Sequence, residues 1–66
     1  MLVTVNDEPN DVPEDLSLDG LLHLLTLPAD RLAVELNRTV VRRVEWPRTK
    51  LHEGDRVEIV HFVGGG

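Results

Sequence analysis

Three glycines, Gly64, Gly65 and Gly66, close the sequence behind a strand-like run from Arg56 to Val63. With glycine at roughly 7% of average usage, three in succession at a given terminus arise by chance about 3 times in 10,000. A residue without a Cβ adopts extended or positive-φ backbone freely and passes through channels that exclude any side chain. The chemistry such a run suits is delivery of the Gly66 carboxylate into another protein's active site. The competing readings are a frayed end or an appended linker. Other reactive residues form no comparable pattern. His23, His52 and His61 fall on an expected helix, loop and strand without ligand spacing, so they read as ordinary structural or surface histidines rather than a metal site. The chain has no cysteine and no tyrosine, which excludes a thiol nucleophile, thiolate metal sites and disulfides. It also lacks a glycine-rich loop before a helix, and it has little volume for a pocket, so a self-contained enzyme with its own cofactor is not expected.

The elements that must position such a tail have to fit into 66 residues, 41% hydrophobic and 29% charged, which suits one small folded domain over residues 1–63 with a short tail at 64–66. Seven basic against twelve acidic residues give a net charge of −5. That balance disfavours nucleic acid, whose phosphates would be repelled, and favours a protein partner with an electropositive surface. The sequence opens on no charged-then-apolar leader and contains no apolar run of membrane-spanning length, so a cytoplasmic protein is expected.

Residues 1–5 alternate, with Met1, Val3 and Val5 on one face, and read as a first strand. Asn6, Asp7 and Glu8 supply turn chemistry, and the prolines of the returning stretch, Pro9 and Pro13, confine it to a short edge strand. Ser17 is a good N-cap, Asp19 suits the first turn, and Leu18, Leu21, Leu22 and Leu25 form an apolar stripe over an expected three-turn helix that Pro28 ends. Gly20 weakens that helix by about 0.5–1 kcal/mol relative to Ala. A second hairpin follows, 32–36 and 39–41 around Asn37 and Arg38, then an irregular link with a helical turn near Trp46, which plugs the end of the core. Glu53, Gly54 and Asp55 turn the chain into the last strand, where Val57 and Ile59 face inward and Val60 and Phe62 face out. Two strands, a helix, two strands, a link and a strand is the order of an α+β, ubiquitin-like β-grasp fold, a mixed sheet of about five strands on one helix. An exposed apolar group beside the tail, Val60 and Phe62, reads as a partner-docking patch, the alternative being that loops cover it or that the strand twists near its end. Acids such as Glu53, Asp55 and Glu58 could steer a basic partner, although most surface charges merely solvate.

Over almost its whole length the sequence resembles the ThiS sulfur carriers of bacterial thiamine biosynthesis. The similarity is carried by the opening strand into Asn6 and Glu8, by Ser17-Leu18 with Leu21-Leu22, and by Ala33-Val34-Glu35-Leu36-Asn37 into Val40-Val41. It is strongest in Glu45-Trp46, in Leu51 followed by Glu53-Gly54-Asp55, and in Val57-Glu58-Ile59-Val60 running to Gly64-Gly65-Gly66. Asp7 stands where the family usually has glycine and Arg42 where proline is common.

The resemblance implies a carrier rather than an enzyme. A ubiquitin-activating-like adenylyltransferase using ATP and Mg²⁺ would adenylate the Gly66 carboxylate. Sulfur drawn from cysteine by a desulfurase would then replace AMP, and the resulting thiocarboxylate would serve thiazole synthase. Gly66 is the covalent carrier in that scheme, and Gly64 and Gly65 thread the partners' active sites. Alternatives of the same tail chemistry are carriers for molybdopterin synthesis or tRNA thiolation, the first disfavoured by the Glu45-Trp46 pair and the short chain. From a different class, the chain could be a ubiquitin-like protein modifier or a plain binding module.

Overall fold

The computed structural model describes residues 1–28 and 30–62; the expected tail at Gly64, Gly65 and Gly66, with Val63, lies outside the described residues. The first hairpin pairs β1 (Leu2–Val5) with β2 (Glu8–Asp11), antiparallel, in a register that sets Val5 opposite Glu8. Its connecting residues, Asn6 at φ 49° and Asp7 at φ 69°, both take left-handed backbone. That is the type I′ geometry that matches the right-handed twist of paired strands. A glycine at position 7 would meet this φ without strain, and Asp7 adopts it while pairing with the Arg56 guanidinium at 3.1 Å.

The helix α1 (Leu18–Leu24) starts as its cap predicts, with the Ser17 hydroxyl accepting from the Gly20 amide at 3.0 Å. Leu18, Leu21 and Leu22 are buried beneath it, each burial contributing about 1.5–3 kcal/mol. A Cβ on Gly20 would lie 2.7 Å from the Leu16 side chain and 3.3 Å from the Ser17 hydroxyl. The glycine that weakens the helix therefore also admits Leu16 and the cap against it. The helix is shorter than the three turns expected and stops before Pro28. Thr26 turns left-handed at φ 60°, its amide donates to the His23 carbonyl, and the Leu27 amide donates to the Leu22 carbonyl, both at 3.0 Å. This is a Schellman closure, and Leu27 packs back on the core to complete it. A β-branched residue is a poor choice for that φ. Thr26→Gly is accordingly expected to raise stability by about 0.5–1 kcal/mol in urea titration.

A second type I′ hairpin joins β3 (Leu32–Leu36) to β4 (Thr39–Val41), with Asn37 at φ 50° and Arg38 at φ 71°. Arg42, at φ −67° and ψ 146°, occupies backbone that proline would also adopt. The expected helical turn is a 3₁₀ helix, Arg43–Arg48. It drives Trp46 into the core at 2% exposure, with its indole N–H donating to the Val41 carbonyl at 2.9 Å. The Arg43 guanidinium covers the ring at 5.6 Å from its centroid. Gly54, at φ 87°, then turns the chain into β5 (Arg56–His61).

The five strands form one mixed sheet in the order β2-β1-β5-β3-β4, with β1 and β5 parallel and the other pairs antiparallel. One sheet face carries Val3, Val5, Val34 and Val57 against α1, Trp46 and Leu51, and the opposite face is open. This is the β-grasp architecture. No helix among the described residues is long and apolar enough to cross a membrane.

Candidate carrier strand and docking face

The last strand lies at the centre of the sheet, so the segment leading to the glycines is held from both sides. Val57, 1% exposed, and Ile59 anchor its inner face. Its register with β3 runs from Leu36 opposite Val57 to Leu32 opposite His61. The parallel pairing with β1 covers only Thr4 beside Arg56 and Val5 beside Val57.

Where β1 ends, Asn6 takes over. Its side-chain oxygen accepts from the Ile59 amide at 2.7 Å and its side-chain NH₂ donates to the Ile59 carbonyl at 3.2 Å. One amide group thus imitates the next strand residue. Asn37 clips the start of β5 from the other side, accepting from the Arg56 amide at 3.0 Å and donating to Asp55 Oδ1 at 3.1 Å. Each asparagine holds the left-handed turn position and clips the central strand. Sequence reasoning placed both in turns and missed the second role. The only signal was the choice of asparagine at the first position of two hairpin turns, and it carries no information about which strand lies alongside. Asn6→Ala removes both bonds to β5 and the residue best suited to φ 49°, so it is expected to cost about 2 kcal/mol in chemical denaturation.

Beyond β5 the Phe62 amide donates to the Arg31 carbonyl at 3.0 Å, tying the root of the terminal segment to the chain entering β3. Val60 and Phe62 lie on the open face, 57% and 49% exposed. Ala33 is directly across from Val60, and Val40, also exposed, lies on β4 opposite Glu35 rather than in the Val60 row. Next to this apolar group, Glu58 and Glu35 face each other across β5 and β3. They share an open concavity of about 400 Å³ with Asp7, Arg38 and Arg56. Such a mixed, shallow surface lacks the convergent apolar enclosure of a substrate pocket.

The acids suggested as steering groups divide. Glu53 accepts from the Leu2 amide at 2.9 Å. Asp55 Oδ2 accepts from the His52 amide at 2.7 Å. Both therefore build the turn into β5, and only Glu58 remains on the open face. His23, His52 and His61 are exposed on the helix, the loop and β5. Among the described residues no three His, Asp or Glu side chains group to hold a metal ion.

A sequence model of the ThiS family matches residues 3–66. The chain belongs to the ThiS family. The crystal structure of the thiamine biosynthesis protein ThiS from Geobacter metallireducens superposes with a TM-score of 0.89 at 39% identity, covering all of both chains. A thiazole synthase from Magnetococcus marinus is 39% identical over 66 residues, which is all of this chain and 20% of that protein. The chain thus spans about one fifth of that curated relative. An uncharacterised protein, ycf40, from Porphyra purpurea is 38% identical over 64 residues, 97% of this chain and 90% of its own length. In this ThiS-family chain the exposed pair Val60 and Phe62 and the clipped strand β5 lie immediately before the glycine run.

Proposed function

We propose that the chain is a sulfur carrier of thiamine biosynthesis, not an enzyme, and that its Gly66 carboxylate is the working group. A carboxylate resists nucleophiles because its charge is delocalised and oxide is a poor leaving group. Activation therefore comes first. A carboxylate oxygen attacks the α-phosphorus of ATP in a ubiquitin-activating-like adenylyltransferase that also holds Mg²⁺, and pyrophosphate departs. The outer sulfur of a persulfide formed from cysteine by a desulfurase then attacks the acyl carbon and AMP leaves; a thiol cleaves the S–S bond of the resulting acyl disulfide, is itself oxidised to a disulfide, and leaves a thiocarboxylate at Gly66 for thiazole synthase. ATP, the metal and every catalytic side chain belong to the partners. Gly64 and Gly65 supply thin reach into two active sites, and the reactions take place in the cytoplasm.

The observation that carries this reading is that the family match continues to the last glycine, behind a strand held on both sides. The thiazole synthase partner is supported by the relative in which a segment like this chain occupies 20% of a thiazole synthase. The test is an intact mass of the chain after incubation with its adenylyltransferase, ATP, cysteine and desulfurase. One oxygen-for-sulfur exchange mapped to the Gly66 peptide is expected. An unchanged mass with an active cognate partner overturns the carrier role in favour of a binding module, and isopeptide conjugates would make the chain a protein modifier.

Docking is assigned to Val60 and Phe62. Val60→Arg is expected to weaken binding to the adenylyltransferase or thiazole synthase at least about tenfold in calorimetric titration. Its unfolding free energy should stay within about 0.5 kcal/mol of the original, as for other surface changes.

A further inference from the structure

An acyl group activated at Gly66 is consumed irreversibly by any primary amine it meets, because the amide formed does not revert. Lys50 is the one lysine in the sequence, against six arginines, and the Met1 α-amine is the other primary amine of this chain. Both lie at one pole of the domain. Lys50 bridges to Ser17 at the start of α1, and the turn that follows bonds to β1, the Gly54 amide donating to the Leu2 carbonyl. Met1 precedes β1, and its amine donates to the Val12 carbonyl at 2.7 Å with Asp11 and Glu14 at 3.4 Å. Because β1 and β5 are parallel, this is the pole at which β5 begins. Strand β5 ends, and Phe62 lies, at the other.

At the exit pole the cations are arginines. Arg31 holds the Phe62 amide through its carbonyl, and Arg43 reaches its neighbour Asp30 at 3.9 Å. A guanidinium stays protonated at any pH the protein meets and has no free electron pair for attack. Resting on the carrier reading above, we propose that this segregation sets the acceptor specificity of the terminus: amines are confined to the pole opposite the exit and arginine replaces lysine beside it, so the activated Gly66 acyl group transfers only to a partner's nucleophile.

Reach supports the exclusion. Four residues beyond Phe62 extend at most about 14 Å, whereas retracing β5 alone takes about 20 Å, and Lys50 sits beside Ser17 at the start of α1. The Met1 amine is further restrained. Burial pulls its pKa down, but hydrogen bonds and charge from Glu14 and then Asp11 outweigh this and leave it above an α-amine's ordinary value. His61 is exposed near the exit, but an acyl-imidazole passes its acyl group on to water or a thiol and is no dead end.

The test uses the full chain prepared as a C-terminal alkyl thioester at Gly66, incubated near pH 8, about the ordinary pKa of an α-amine. In self-acylation an amine nitrogen bonds to the acyl carbon, the C–S bond breaks, and the thiol leaves with the proton. The cyclic product is lighter than the hydrolysed chain by one water. The original chain is expected to give the hydrolysed carboxylate. Arg31→Lys, which preserves charge, is expected to give at least about tenfold more cyclic product, because reaction within one molecule gains effective concentration. Peptide mapping should join position 31 to Gly66, and the circular dichroism melt should match that of the original chain. Cyclisation of the original chain through Lys50 or Met1 at the variant's rate overturns the proposal, as does a variant that cyclises no more than the original. No ATP, sulfur source or partner enters the experiment, so its result is independent of whether the carrier reading holds.

Discussion

Replacing Gly65 with Trp is expected to reduce adenylation, read as pyrophosphate release with the cognate adenylyltransferase, by on the order of a hundredfold or more, since misplacing a reacting group by a single ångström can cost that much. The domain itself should melt as before. The described core, from Val3 to Val57, is built entirely from residues upstream of the glycines, and β5 is paired on both edges before the chain reaches them. An indole at position 65 therefore adds bulk where a partner's channel must close, while the described core keeps its own contacts. Gly65→Ala should fall between the two, because a methyl group is the smallest addition that restricts positive φ. Normal pyrophosphate release by Gly65→Trp would overturn the threading role of the glycines.

Trp46→Ala is expected to cost about 3–5 kcal/mol, close to the whole stability of a domain of this length, about 3–10 kcal/mol at typical values per residue. The far-UV circular dichroism of the variant at 25 °C should be that of a largely unfolded chain. Trp46 is 2% exposed and packs against the start of α1, where Leu18 is fully buried. Its removal leaves a cavity that a short 3₁₀ helix containing Pro47 cannot close. The indole N–H also fixes that segment to the Val41 carbonyl. Trp46→Phe separates the two contributions, keeping most of the apolar contact while losing the hydrogen bond, and should cost only about 1–2 kcal/mol. A folded Trp46→Ala chain with an unchanged melting temperature would show that the core closes without the indole.

Local patterns carried much of the fold. Strand alternation separated Val3 and Val5 from Leu2, and Val57 from Glu58, onto the faces where the structure has them. Ser17 marked the helix start through its hydroxyl, and Pro9 confined β2 to an edge. Helix length was less legible, because Thr26 is a poor left-handed residue and nothing local announces a Schellman closure at that position. Leu27 packing on the core contributes the missing energy, and that contact is tertiary.

The sequence by itself determined the element order, the inward positions, the glycine run, the outward placement of Val60 and Phe62, and, by resemblance, the family to which the chain belongs. These depend on periodicity, backbone preference and residue type, all of which act over a few positions. Tertiary structure alone decided that Asn6 clips the middle of β5 and Asn37 its start, that Glu53 and Asp55 serve the turn before it, and that Met1 and Lys50 share the pole at which β5 begins. Each of these joins residues far apart in the chain. Their energies appear only when β1 and β5 align in parallel, an arrangement stabilised by burial of the shared core and encoded in no single segment.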